Sequence, residues 1–153
     1  MISKKVFEEC LINGLTIGFA ESMTGGSLAY EMIKNPGSST VVSGGIVAYS
    51  IEQKIKLLNI EPALISQFSV VSKEVAEQMA RSIRAIMKTD IGVSVTGNAG
   101  PSVQENTHQL EAWIAIDFQG VIKSFHLEFG QLTRLKSIKK TVEFTYKKLI
   151  ECF

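Results

Sequence analysis

The chain of 153 residues predicts an α/β fold, a three-layer α/β/α sandwich with a mixed, mostly parallel sheet. Three observations lead there. Short apolar runs alternate with amphipathic stretches along most of the chain, the pattern of strands joined by crossover helices. The turns that follow the predicted strands carry Gly, Ser and Thr. Two late strand-like runs are joined by Gln119-Gly120, a hairpin signal that introduces antiparallel pairing.

Val6, Cys10 and Leu11, with Phe7 beside them, predict an N-terminal helix closed by Asn13-Gly14. Leu15 to Ala20 reads as the first strand, and Gly25 to Lys34 as a helix stopped by Asn35-Pro36-Gly37. Thr40 to Tyr49 reads as a strand bent or interrupted at Gly44-Gly45. Ser50, with Gln53 at capping-box spacing, starts a helix to about Leu58, and a short helical turn follows near Pro62 to Gln67. Ser72 caps a longer helix, Lys73 to Lys88, in which Val75, Met79, Ile83 and Ile86 recur at helical spacing. Ile91 to Val95 is apolar enough for a fully buried strand. Gly97 to Gln109 is the long irregular connection. Leu110 to Phe118 and Val121 to Phe129 form the hairpin strands, and Leu132 to Cys152 the last helix.

A hydrophobic content of 45% and a charged content of 20% fit one globular domain over residues 1–153, long enough to bury a core. The net charge of +1 gives no general attraction to nucleic acid or to an anionic membrane, so neither is expected as a partner. No apolar run reaches the ~20 residues of a membrane span and no signal-peptide core is present, which predicts a cytoplasmic protein. Cys10 and Cys152 lie far apart without CxxC spacing, and with only His108 and His126 beside them a structural zinc site is not expected. Both cysteines fall in helical apolar patterns, where a reduced, packed thiol is the expected state.

The chemistry concentrates in three hydroxyl-bearing turns after predicted strands: Glu21-Ser22-Met23-Thr24, Ala48-Tyr49-Ser50 and Val95-Thr96-Gly97. In open α/β sheets ligands bind beyond strand ends where connections diverge, so these turns converge on one pocket if their strands are parallel neighbours. Ser22 followed by Thr24-Gly25-Gly26 is either helix-start chemistry or a nucleophile beside free N–H groups that favour an anion or oxyanion. Lys54 lies one turn into the next helix. It is either a solvated lysine or a general base, and the second role needs its pKa to fall from ~10.4 toward ~7–8. Tyr49 is a packed aromatic or a catalytic group. The Thr96 hydroxyl, ending a buried strand, needs a partner. Glu21 is an acid–base group or a carboxylate that satisfies N–H groups around the turn. Trp113 reads as core, and His108 and His126 receive no role. Lys136, Lys139, Lys140, Lys147 and Lys148 read as the solvated face of the last helix.

Together these segments resemble the CinA C-terminal domain family, which includes stand-alone nicotinamide-nucleotide amidohydrolases of the PncC type. The resemblance is carried by Ala20 to Gly26, Pro36-Gly37-Ser38-Ser39, and Gly44 to Ser50 with Lys54. It continues through Val70 to Ala76, Asp90 to Pro101 and Trp113-Ile114-Ala115. It implies hydrolysis of the carboxamide of nicotinamide mononucleotide to nicotinate mononucleotide and ammonia, without metal or cofactor. It also implies a pyridine nucleotide as the small-molecule partner and a homo-oligomer. Carried across, Ser22 is the nucleophile, Lys54 its base, and Tyr49 and Thr96 orient that pair or bind substrate. An oxyanion hole would come from N–H groups near Thr24, Gly25 and Gly26 or from Gly44 and Gly45. Gly97 would line the substrate site, and Arg134, or Lys139 nearby, would supply a cation for the phosphate.

The chain departs from the family pattern in places. Ser102 to His108 replaces a glycine-rich run, Leu110-Glu111 stands where Gly-Thr is usual, and Gly130-Gln131-Leu132-Thr133-Arg134 where Gly-Asp-Arg is usual. Met23 follows the serine where a small residue is usual. Leu110 and Glu111 are expected to border the pocket and to obstruct or repel a phosphorylated substrate. The alternative reading is therefore a catalytically weak or inactive family member that binds a nucleotide or a protein partner.

Overall fold

A computed structural model describes residues 2–102 and 110–153. The elements run α1 (Ile2–Asn13), β1 (Ile17–Glu21), α2 (Ser27–Ile33), a 3-10 turn (Ser38–Thr40), β2 (Val42–Val47), α3 (Ile51–Leu58), α4 (Pro62–Phe68), α5 (Lys73–Met87), β3 (Ile91–Asn98), β4 (Glu111–Phe118), β5 (Val121–Glu128) and α6 (Arg134–Ile150). Most predicted elements are present, with their ends moved by a few residues. His108 and most of the 102–109 connection lie outside the described residues.

The five strands form one sheet in the order β2-β1-β3-β4-β5. β1 is parallel to both β2 and β3, whereas β3–β4 and β4–β5 are antiparallel. The sheet is thus mixed, with two pairs of each kind, and the expectation of a mostly parallel sheet is corrected. Parallel pairing needs a crossover, and only the connections that carry α2 and α3–α5 supply one. β3 instead runs on to Asn98, opposite Glu111, and reverses into β4. That pairing also draws Thr96 and Gly97, read as a turn, into the strand.

The connection leaving β1 moves to β2 on one side, and the connection leaving β2 returns across β1 to β3 on the other. Right-handed crossovers in opposite directions place their helices on opposite faces of the sheet. Accordingly Phe19, Val93 and Val95 share a core with Val6 and Phe7 of α1, Leu28 and Met32 of α2, and Tyr146 and Leu149 of α6. Ala20 and Ala48 share another with Leu58, Ile60, Val75, Met79 and Ile83. α5 sits close against β3: a Cβ at Gly92 would lie 2.3 Å from the Ala80 carbonyl oxygen. The carboxyl end of β1 is therefore the point where the connections diverge, the usual ligand position in such a sheet.

Strand alternation then divides the residues at that end. Phe19 faces the α2 side and Ala20 the α5 side. Continuing with period two, Glu21 turns toward the start of α2 and Ser22 toward α3. Hydroxyls on the α5 face of β3 are tied off by the backbone beneath them, Ser94 donating to the Ala76 carbonyl at 2.6 Å and Thr96 to the Val70 carbonyl at 2.8 Å.

Candidate active site

Ser22 and Lys54 meet at the end of β1. Lys54 Nζ lies 2.9 Å from Ser22 Oγ, 3.0 Å from the Ala48 carbonyl and 3.3 Å from the Tyr49 carbonyl. Both side chains are buried, each 2% exposed. The lysine is delivered by a helix whose start is well defined. The Ser50 hydroxyl accepts the Gln53 N–H at 3.1 Å, so α3 begins at Ile51 and Lys54 falls on its inward face one turn later.

Burial pulls the Lys54 ammonium down from its ordinary 10.5 to about 8, because the charged form loses its water. The geometry says what the neutral amine can do. An ammonium places its three N–H bonds on the two carbonyls and on Ser22 Oγ. After deprotonation the two carbonyls keep two N–H bonds, and the lone pair falls toward the serine hydroxyl, which then donates to it. A Lys54 carrying that lone pair is a base at hydrogen-bond distance from a hydroxyl nucleophile.

Glu21 occupies the other side of the strand end. Its Oε1 accepts from Thr24 Oγ1 at 2.6 Å, Leu28 N at 2.9 Å and Gly26 N at 3.2 Å, and its Oε2 accepts from Ala29 N at 3.1 Å. The carboxylate is 1% exposed and closes the start of α2. The anion-accepting role expected of these N–H groups is therefore taken by Glu21 from within the chain. Gly25 N donates to the Ser22 carbonyl and Ser27 N to the Thr24 carbonyl. In this turn the N–H groups of Ser22, Met23 and Thr24 have no acceptor among the described residues.

Tyr49 is 58% exposed, so it is neither packed nor buried, and its hydroxyl accepts from Arg134 Nη2 at 2.7 Å. Arg134 Nη1 donates to the Gly100 carbonyl at 2.6 Å. The first residue of α6 thus joins the turn after β2 to the turn after β3, next to the carbonyls that hold Lys54. Thr96 is 1% exposed and committed to Val70, with no hydrogen bond to Ser22 or Lys54. Gly44 and Gly45 do not reach the strand end. They pair with Gly18 and Phe19, and a Cβ at Gly44 would lie 3.1 Å from Met87 Cε. Their small size admits helix side chains against the sheet rather than substrate.

The CinA C-terminal domain profile matches residues 1–153. The chain belongs to the CinA C-terminal domain family. A Moorella thermoacetica protein described as competence-damage inducible is 43% identical over 124 residues, covering 80% of this chain and 30% of its own length. A relative from Lysinibacillus sphaericus with the same description is 36% identical, covering 98% of this chain and 37% of its own length. The chain thus spans about a third of the curated relatives it matches. The fold is also that of a competence or damage-inducible protein from Enterobacter asburiae, with a TM-score of 0.95 at 26% identity over 99% of this chain and 95% of that one. A competence/damage inducible protein from Agrobacterium tumefaciens gives 0.93 at 27% identity over 98% and 92%.

The departures of this CinA domain that fall on described residues have defined places. Met23 is buried, and Gly97 is what makes room for it: a Cβ there would lie 2.4 Å from Met23 Sδ. Gly97 is therefore a packing residue under the Ser22 turn. Leu110 packs on Gly100, where a Cβ would lie 2.7 Å from Leu110 Cδ1. Glu111 turns to His126, with Oε1 3.1 Å from Nε2, and the His126 ring stacks on Trp113 at 4.6 Å between centroids. The absence of partners for His126 is corrected by this cluster, which β4–β5 register assembles from residues far apart in sequence. Sequence reasoning also had no signal for the carbonyls of Ala48, Tyr49 and Val70, because any residue supplies them.

Proposed function

We propose that this chain is an amidohydrolase that deamidates nicotinamide mononucleotide to nicotinate mononucleotide and ammonia through Ser22 and Lys54. The observation that carries the reading is the 2.9 Å contact between the Ser22 hydroxyl and a buried lysine whose charge is disfavoured. Lys54 takes the Ser22 proton as Oγ attacks the carboxamide carbon. The oxyanion that develops is met by the Met23 and Thr24 N–H groups. Collapse breaks the C–N bond, and Lys54 returns its proton to the leaving ammonia. Water, activated by the same amine, then hydrolyses the acyl-serine ester. Arg134 is the fixed positive charge at the rim and suits the nucleotide phosphate, exchanging neutral acceptors for anionic ones.

Purified protein is expected to release ammonia from nicotinamide mononucleotide, with Ser22→Ala lowering kcat/KM by ~10³-fold or more. No turnover by the wild-type chain between pH 6 and 10 would overturn the reading. Stabilisation by the nucleotide without turnover would favour instead the binding-only relative, for which the replaced segment after Pro101 is the motive.

A further inference from the structure

The nucleophile turn contains a second buried ionisable group that the reaction above does not use. Glu21 adjoins Ser22 in sequence, is 1% exposed, and is held by four donors with no cation among its hydrogen-bond partners. Burying a carboxylate costs several kcal/mol unless its lone pairs are filled. Here they are filled by one hydroxyl and three N–H groups of a single short segment, residues 24–29. A residue with an ordinary helix-cap role sits one position before the helix and holds one or two N–H groups. Glu21 lies six residues before Ser27, the first residue of α2, and reaches back across the whole turn. What it encloses is Ser22, Met23 and Thr24.

We propose that Glu21 is the positioning residue for the nucleophile. By gathering Thr24, Gly26, Leu28 and Ala29 onto one carboxylate it draws the chain into the loop that points Ser22 Oγ at Lys54. It also selects which N–H groups face the reacting atoms. Gly26, Leu28 and Ala29 are consumed by Glu21, Gly25 and Ser27 by carbonyls of the turn itself. Among the described groups of this turn the N–H groups of Ser22, Met23 and Thr24 are left, the last two being the ones past the nucleophile that could meet an oxyanion. The helix start, otherwise the obvious anion site, is closed to substrate, which leaves a phosphate to Arg134. This assignment rests on Ser22 and Lys54 acting as nucleophile and base.

The test is the rate at which a serine-directed fluorophosphonate labels Ser22, read by intact mass and peptide mapping well below Tm. Ser22 Oγ displaces fluoride from phosphorus while its proton passes to Lys54. Glu21→Gln keeps the length and the bonds to Oε1 but opposes an amide NH₂ to Ala29 N–H; Glu21→Ala removes every bond. Labelling is expected to slow ~10-fold in the first and ~10²-fold in the second, the scale of an ångström-sized misplacement, with kinact falling and KI unchanged. A purely structural role would lower Tm and leave kinact of the folded protein alone, and labelling of both variants at the wild-type rate would overturn the proposal. Crystals of the variants give a readout independent of reactivity. Ser22 Oγ should part from Lys54 Nζ, and a contact retained at 2.9 Å would overturn the proposal even if the wild-type serine were never labelled. An unlabelled wild-type serine would count against the nucleophile itself, so the two failures are distinguishable. If Glu21→Ala does not fold, Glu21→Gln decides by the same two measurements.

Discussion

The two turns that flank the reactive serine treat buried charge in opposite ways. In the turn from β1 to α2 the backbone offers N–H groups to an acid, and Glu21 takes three of them together with the Thr24 hydroxyl. In the turn from β2 to α3 it offers carbonyls to a base, and Lys54 takes those of Ala48 and Tyr49. Glu21 and Lys54 lie on either side of one strand end, yet no salt bridge joins them. Each is balanced by peptide dipoles instead. The difference has a chemical consequence. A carboxylate filled on both oxygens is fixed as an anchor, whereas an amine with two carbonyls keeps its third direction for a proton in transit. A direct ion pair would favour the charged lysine and oppose its use as a base.

The comparison is broken most severely by replacing the base while keeping its charge. Lys54→Arg cannot lose its proton, so ammonia release from nicotinamide mononucleotide is expected to fall by at least ~10²-fold, the lower end for removing a general base. In the wild-type chain kcat/KM should rise about tenfold per pH unit below the Lys54 pKa and level off above about 8, since only the neutral amine accepts the Ser22 proton. A profile flat from pH 6 to 9 would mean that the lysine does not titrate as a base there. Next in size is Arg134→Ala, which removes the link between Tyr49 and Gly100. Loss of a charged hydrogen bond worth about 1.5–3 kcal/mol should raise KM for the nucleotide some 10–100-fold with kcat nearly unchanged. Smallest is Ser50→Ala, which removes the cap that starts α3. Thermal unfolding should show a loss of about 1 kcal/mol, and the pH profile should keep its midpoint because Lys54 retains its carbonyls. A shifted midpoint would show that the cap, and not the carbonyls, holds the amine in place.

Much of this could be read from residue types, and the limits are instructive. Ser50 and Ser72 announced their helices because capping is local: each accepts the N–H three residues on. Ser22 and Lys54 stood out through spacing, and α3 then brought them together. Thr96 was visible as a buried hydroxyl in need of a partner, but the partner is a carbonyl of Val70, which has no sequence signature. Gly44 and Gly97 announced small size without saying for what, and the packing of Met87 and Met23 supplies the reason in each case. His126, Trp113 and Glu111 form a cluster that exists only because β3, β4 and β5 pair in one register.

By itself the sequence determined the alternation of elements, the caps that start the helices, the family, and the identity of the hydroxyl and amine at the strand ends. These depend on contacts within a few residues, where side-chain type decides the outcome. Tertiary structure alone decided the strand order, the equal division between parallel and antiparallel pairs, and the depth of Lys54. It also decided which backbone groups fill Glu21 and which are left beside Ser22. Those features depend on carbonyls, N–H groups and burial, which every residue carries and only the assembled fold distributes.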